Sequence, residues 1–508
     1  MRRSRKFLVN VVSNVVNSGT GALFALVLPY FLVRLFTPPE FSLWVLVLQL
    51  AAYVNYLNFG LQTAIGRYVS HAEARDDVEE VKTSIAAGVQ ILTLLALIGL
   101  LLVIALAVAL PDIFRQIGPA LIGPGRAAVL WVGASMALAL PFSALLAVFV
   151  GLQRNEIPAV VTLIGRGSTA AATIVAAFMT RALVPTAAAY FCGMVFFCVL
   201  QGIVFFCAVP QFRPQFFRLS PVMLREMMQY CISLTIWSLG MFLITGLDTT
   251  IVGIFDFKAV AAYGTAASAV LLVTGVIGAV LRPLIQIFAQ LHARAQFAQL
   301  FRLLNFSSKA FLTVMIAMGA WMIGLAHIVF PLWLGHRIGT IGVPVFDLLV
   351  LANIIRNIAG VYAVYLVATG QQRYVTVSPI AEGIINLATS IAGAYYIGAL
   401  GVALGTVIGA VVGVAAHYLY NLPRTVPETF SKARFYDESL FLPCLYDSPL
   451  IAAAIACTLW QFPFPWAVAL LAVATLPVLL VGRRFWSEIE DWRSADGTFA
   501  SEPAADSV

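Results

Sequence analysis

The 508 residues are 61% hydrophobic and only 10% charged, with a mean hydropathy of +0.95, a balance that excludes a soluble globular protein of this length. The formal charge of +7 calls for no nucleic acid, because a polytopic membrane protein keeps Lys and Arg in loops that face an anionic leaflet. Six cysteines and five histidines are scattered without CxxC or metal-ligand spacing, so no metal, haem or other cofactor is expected.

Apolar runs of about 18 to 26 residues, each able to cross roughly 30 Å of hydrocarbon as a helix, predict about fourteen transmembrane helices. Their spans are 8–33, 41–62, 84–109, 127–150, 157–178, 185–208, 228–253, 259–289, 308–331, 344–368, 376–397, 401–421, 445–462 and 466–482. Arg2, Arg3, Arg5 and Lys6 precede the first, and no small-residue cleavage site follows it, so a retained anchor is expected. Pro463 and Pro465 leave little room for a turn between the last two. With both termini in the cytoplasm, 21 of the 30 Lys and Arg fall on the cytoplasmic side and 6 outside, the bias that sets orientation. The third helix, Ala86 to Leu110, has almost nothing polar and is expected to face lipid. The tail from Arg483 is acidic and expected to be disordered after Ser494.

One sequence offset recurs. Phe31 to Trp44 matches Thr250 to Tyr263, Ala74-Arg75 returns as Ala293-Arg294, and Gly151 to Arg154 returns as Gly370 to Arg373, each 219 positions on. Three matches with no net gap predict two copies of one multi-helix unit. The expected organisation is an all-α polytopic membrane protein with two pseudo-symmetric six-helix lobes around a central cavity and two extra C-terminal helices. An N-lobe (1–208) and a C-lobe (228–421) are joined by a cytoplasmic linker (209–227). A cytoplasmic loop (422–444), the last two helices (445–482) and a cytoplasmic tail (483–508) follow.

Polar side chains in hydrocarbon must find protein or water, so polar stripes mark helices that face an interior. The first helix carries Asn10, Asn14 and Asn17, the second Asn55, Asn58 and Gln62, and the eighth Arg282, Gln286 and Gln290, each set on one helical face. The seventh carries Thr235, Ser238, Thr245, Asp248, Thr249 and Thr250. Helices one and seven, and two and eight, are equivalent under the repeat. Arg166, Arg282, Arg356, Asp248 and Glu382 also fall inside helices, where each charge costs about 2.5–3.5 kcal/mol. Internal pairing is one reading, for instance an Arg166–Glu382 clasp between lobes. The other is an anionic ligand for the surplus cations, since Arg holds phosphate bidentately.

The chain resembles the multidrug/oligosaccharidyl-lipid/polysaccharide (MOP) exporter superfamily, in its polysaccharide transporter branch of O-antigen and exopolysaccharide repeat-unit flippases. The resemblance rests on Gly246 to Phe255 followed by Ala261 to Tyr263, on Ala368 to Arg373, and on Asn386 to Ser390 leading into Gly398 to Gly405. It implies an undecaprenyl diphosphate-linked oligosaccharide moved across a bacterial inner membrane, within a V-shaped cavity between the lobes. A polysaccharide polymerase and assembly machinery are the implied neighbours, and a monomer is expected. On this reading Arg282, Arg166 and Arg356, with Arg34 at the outer mouth, contact the diphosphate. Asn14, Asn17, Asn55, Asn58, Gln62 and Gln286 contact the glycan. No nucleotide-binding loop is present, so coupling falls to an ion gradient (H+ or Na+) or to the membrane potential, with Asp248 and Glu382 as candidate ion-coupling, titrating groups or else as fixed partners of the arginines. A drug or metabolite antiporter of the same superfamily is the alternative. A membrane enzyme of polysaccharide assembly is the second, disfavoured because the longest external segments, 110–126 and 332–343, are short.

Overall fold

The computed structural model describes residues 24–213, 220–371, 377–428 and 430–495, and these are helical throughout, with no strand among them. The basic N-terminal residues, Asn14, Asn17 and the tail after Ala495 lie outside the described residues. In chain order the helices are α1 (Phe24–Leu35), α2 (Pro38–Glu73), α3 (Val78–Ile113), α4 (Pro119–Gly151), α5 (Glu156–Thr180) and α6 (Leu183–Ala208). Next come α7 (Pro221–Met241, continued by a π turn Phe242–Gly246 and by Asp248–Phe255), α8 (Val260–Ala293), α9 (Phe297–Leu334) and α10 (His336–Ala368). Last are α11 (Val377–Ile397), α12 (Ala399–Thr425), α13 (Lys432–Tyr446 and Ser448–Trp460) and α14 (Phe464–Ala495). Ten of these are long and apolar enough to cross a membrane, the bent pair of α13 makes an eleventh, and α1 and parts of α7 and α8 are shorter apolar helices. This is the expected all-α multi-pass membrane protein.

Helix ends depart from the apolar runs. Expected to stop at Gln62, α2 continues to Glu73; expected to begin at Ser308, α9 begins at Phe297. Backbone hydrogen bonding does not end where side chains turn polar, so hydropathy marks the hydrocarbon and capping marks the helix. Thr37 and Glu40 form a capping box at the start of α2, with the Thr37 N–H donating to Glu40 Oε2 at 2.9 Å. The Glu80 N–H donates to Asp77 at 2.9 Å at the start of α3. The segment 422–444 is largely helical rather than a loop, because its aromatic residues are packed. Phe430 lies 4.8 Å from Phe301 and 5.6 Å from Phe435, and Phe435 is fully buried.

The repeat is written into the turns. Asp76 (φ 55°) and Ala295 (φ 54°) both adopt the left-handed conformation 219 residues apart. Equivalent backbone bonds close both turns, Asp77 N–H to Ala72 O and Gln296 N–H to Leu291 O, each 3.0 Å. Beyond α3 and α9 the offset becomes 217: α4 and α10 begin at Pro119 and His336 and end at Gly151 and Ala368. The left-handed residues that follow them are Gln153 (φ 55°) and Gly370 (φ 75°). The match of Gly151 with Gly370 is therefore two residues out of register. α3 has 36 residues and α9 has 38, while a single residue, Gly335, separates α9 from α10.

Packing divides the described residues into two compact units. The first comprises those within 24–282, 330–353 and 377–416. In it, α3 buries Leu95, Gly99, Val103, Ala107 and Leu110 and exposes Leu94, Leu97, Ile98, Leu101 and Val108, an apolar outer face suited to lipid. α11 and α12 touch backbone to backbone, since a Cβ on Gly393 would lie 2.5 Å from the Gly401 carbonyl oxygen. Gly401, Gly405, Gly409 and Gly413 recur every four residues along this contact, the small-residue seam through which membrane helices approach closely. The second unit comprises those within 283–329, 354–371 and 417–495. There Ala320 of α9 packs with Leu450, Ala453, Ala454 and Cys457 of α13 and Ala467 and Leu471 of α14. Trp321 Nε1–H donates to Thr475 Oγ1 at 3.0 Å, anchoring α14 to α9.

The seam sets a test by unfolding in detergent. Gly401→Ala, whose Cβ would overlap the backbone of Gly393, should cost about 1–3 kcal/mol by overpacking. Gly123→Ala on α4, where a Cβ meets nothing within 4 Å, should leave the midpoint equal or higher.

Candidate functional site

A cavity of about 960 Å³ opens inside the first unit between α1, α2, α4, α5 and α6. Its polar wall is made by Asn55, Gln62 and Arg67 of α2, Gln153 after α4, Arg166 of α5 and Gln201 of α6. No described Asp or Glu lines it, so its charged lining is two guanidinium groups, a positive wall whose effect low-dielectric surroundings strengthen.

Local structure aims these groups. α2 breaks at Phe59 (φ 47°) and Gly60 (φ 75°) and then restarts at Leu61, so Gln62, Gly66, Arg67 and Ser70 reach the cavity over the next turns. Gly66 lets α4 approach: a Cβ on Gly151 would lie 2.5 Å from the Gly66 carbonyl oxygen. On α5, Thr162, Arg166 and Thr169 face the cavity, whereas Val160, Leu163 and Ile164 are exposed on the other side.

Arg166 makes no hydrogen bond or ion pair among the described residues, and no clasp joins it to Glu382. The Glu382 carboxylate is only 5% exposed and sits against Gly413 in the α11–α12 seam, so helix packing places it away from the cavity. Asn55 Nδ2 lies 3.7 Å from Met136 Sδ. Asn58 does not line the cavity, and its buried Oδ1 has no hydrogen-bond partner among the described residues.

A second polar cluster surrounds the π turn of α7. The wider turn leaves carbonyls without helical partners, and side chains from two other helices bond them: Asn386 Nδ2 donates to Ile244 O and Gln49 Nε2 to Gly246 O, both at 2.7 Å. Just beyond, Asp248 is 5% exposed, and its Oδ2 accepts from Tyr263 and from Thr406 Oγ1, each at 3.2 Å. The Val402 carbonyl accepts from Thr406 Oγ1 at 3.1 Å and from Ser390 Oγ at 3.2 Å. Ser390 Oγ also donates to Asn386 Oδ1 at 2.8 Å. Asp248, Thr406, Val402, Ser390 and Asn386 thus form a buried chain of oxygens with one carboxylate. Tyr53 of α2 bonds Thr250, and a cavity of about 250 Å³ beside them is lined by Gln49, Thr249, Thr265 and Ser268.

Arg34 lines neither cavity. Its guanidinium donates to the C-terminal carbonyls of α9, Leu332 at 3.0 Å and Trp333 at 2.9 Å, and stacks 3.7 Å over Tyr30, a helix cap in place of the expected outer-mouth contact. Arg356 is half-buried in α10 and Gln286 is exposed on α8, both in the second unit. Arg282 lies on α8, and its side chain is outside the described residues, as are Asn14 and Asn17. With the structural offsets, Arg282 is equivalent to Thr63 (219) and Arg356 to Ala139 (217), both lining residues of the larger cavity. Sequence reasoning missed Arg67, which it counted among the topological arginines, and missed Gln49, Gln153 and Gln201. The continuation of α2 past Gln62, which hydropathy does not mark, is what brings Arg67 to the cavity.

A family model described as polysaccharide biosynthesis protein matches residues 6–292, more than half of the chain. No curated protein matches. Among solved structures the chain is similar to an inward-facing multidrug resistance MATE family transporter of the MOP superfamily, at 13% identity and a TM-score of 0.66 over 81% of this chain and 94% of that one. It is similar to lipid II flippase MurJ in an inward closed conformation, at 15% identity and a TM-score of 0.66 over 92% and 98%. It is also similar to a MOP superfamily transporter from Pyrococcus furiosus, at 13% identity and a TM-score of 0.56 over 82% and 95%. These likenesses establish the fold.

Asn386→Leu removes the donor to Ile244 O, so it should cost about 1–3 kcal/mol through a buried, unbonded carbonyl. Thermal unfolding of purified protein reads this, and a midpoint equal to wild type would show that the π turn needs no partner.

Proposed function

The chain belongs to the polysaccharide biosynthesis protein family, and we propose that it is a flippase, not an enzyme, moving a polyprenyl diphosphate-linked oligosaccharide across a bacterial inner membrane by alternating access between two six-helix lobes. The observation that carries this reading is the larger cavity, which presents Arg67 and Arg166 with amides and no described carboxylate. A diphosphate and its sugars need water and charge to pass about 30 Å of hydrocarbon, while the polyprenol stays in lipid. Arg supplies bidentate bonds to phosphate oxygens, and Asn55, Gln62, Gln153 and Gln201 offer both donors and acceptors to hydroxyl groups. At about 960 Å³ the cavity is at the large end of ligand pockets.

Coupling is assigned to the Asp248 cluster. One carboxylate with hydroxyl, amide and carbonyl oxygens beside an interrupted helix is the chemistry that holds Na+ or a proton in transporters. One charge moving through 100 mV supplies about 2.3 kcal/mol, a bias of roughly fifty-fold. Glu382 is a packing residue of the α11–α12 seam in this reading.

Flipping of a fluorescent undecaprenyl diphosphate-oligosaccharide in proteoliposomes tests the proposal. Arg166→Ala should slow it about ten-fold or more, since a hydrogen bond to a charged group is worth about 1.5–3 kcal/mol, with partial recovery in Arg166→Lys. Asp248→Asn should abolish the response to an imposed Na+ or pH gradient. Folded protein that flips no lipid-linked glycan would overturn the reading in favour of a small-molecule antiporter.

A further inference from the structure

We infer that Tyr230 is a positioning residue for anion binding, holding the Arg67 guanidinium so that its N–H edge meets a diphosphate in the cavity. The inference rests on the flippase reading and concerns a helix, α7, none of whose described side chains lines that cavity.

Arg67 is one of the two cations of the cavity wall, and its guanidinium carbon lies 4.8 Å from the centre of the Tyr230 ring. A guanidinium stacked on an aromatic face spends its π face and keeps its in-plane donors. Those donors make no hydrogen bond or ion pair among the described residues, and the residue is exposed. An arginine on a flexible stem would otherwise pay rotamer entropy on each binding event, and a stacking partner removes part of that cost in advance.

The surroundings differ on the two sides of the stack. On the α2 side the backbone is rigid: Gly66 is pressed against Gly151, and Ile65 fills the space over Gly88, where a Cβ would lie 2.5 Å from Ile65 Cδ1. On the α7 side the contact with α3 is made by methionines. Met223 Sδ lies 3.8 Å from Ser84 Oγ, and Met227 is fully buried with its methyl group 3.8 Å from where a Gly88 Cβ would be. Methionine tolerates sliding because its thioether adapts to changed neighbours. Arg67 therefore sits on a closely packed wall, while Tyr230 sits on a helix seated on α3 through methionines. The state of α7 then sets how well Arg67 is aimed, and an anion held by Arg67 favours the position of α7 that stacks it.

The test is binding of inorganic diphosphate to the purified full-length chain by calorimetry. Tyr230→Leu should weaken binding about two- to five-fold, the range of a partly exposed cation–π contact. Tyr230→Phe, which keeps the ring, should restore wild-type affinity. In an Arg67→Gln background, Tyr230→Leu should add no further loss, whereas a generally structural role would make the losses additive. Wild-type affinity in Tyr230→Leu, or additive losses in the double variant, would overturn the inference and leave the flippase reading standing if Arg166→Ala still weakens binding. A wild-type chain that binds no diphosphate would overturn both.

Discussion

A carbonyl inside a membrane has no water to accept from, and the first unit is organised around two of them. The π turn of α7 frees Ile244 O and Gly246 O, which Asn386 of α11 and Gln49 of α2 bond at 2.7 Å. Those two amides fix which helices can lie beside α7 and at what height. They also place the break directly before Asp248, at the start of the short helix Asp248–Phe255, where backbone N–H groups favour a negative charge. A buried carboxylate thereby acquires both its partners and its electrostatic setting from one interruption of one helix. The same device explains why polar residues in α2, α7 and α11 share a neighbourhood although they are far apart in sequence.

Close approach of α11 and α12 is the second requirement, and glycine supplies it. Gly401 against Gly393 allows backbone contact, and Gly405 and Gly409 leave room for Ser390 and Asn386. Asn386 reaches α7 because α12 yields space behind it. The family-like segments Asn386 to Ser390 and Gly398 to Gly405 are thus two faces of one construction, and Thr406 follows them onto Asp248. Glu382 occupies the same seam, its carboxylate beside Gly413.

The sequence made the helices legible because crossing a bilayer demands about 20 apolar residues, a signal that tertiary packing does not override. It made the ends illegible, since capping boxes such as Thr37 with Glu40 act outside the apolar run. The repeat was visible through its first turn and misread in its second, where a longer α9 and a one-residue turn at Gly335 shift the register by two without leaving a hydropathy mark. Arg166, Asn55 and Gln62 were legible as polar atoms in hydrocarbon, and the cavity gathers them. Arg67 was not, because an arginine near a helix end looks like topology until the helix is known to run on to Glu73. Arg34, read from the sequence as an outer-mouth cation, also bonds the last carbonyls of α9, a contact that hydropathy does not reveal.

The corrected register shows that the cations of the two halves are not copies of one another. Arg67 and Arg166 are equivalent to Gln286 and Gly383, while Arg282 and Arg356 are equivalent to Thr63 and Ala139. Each half carries arginine where the other carries a neutral residue. A strictly duplicated set would give a transported anion two identical sites of equal depth. Under the proposed function, cations at non-equivalent positions would give a transported anion sites of unequal strength. Transport requires binding strong enough to enter and weak enough to leave, and an anion as strongly hydrated as a diphosphate makes both demands severe. Under the proposed function, that requirement accounts for the divergence between the halves at these four pairs of positions, while the turns at Asp76 and Ala295 keep the scaffold.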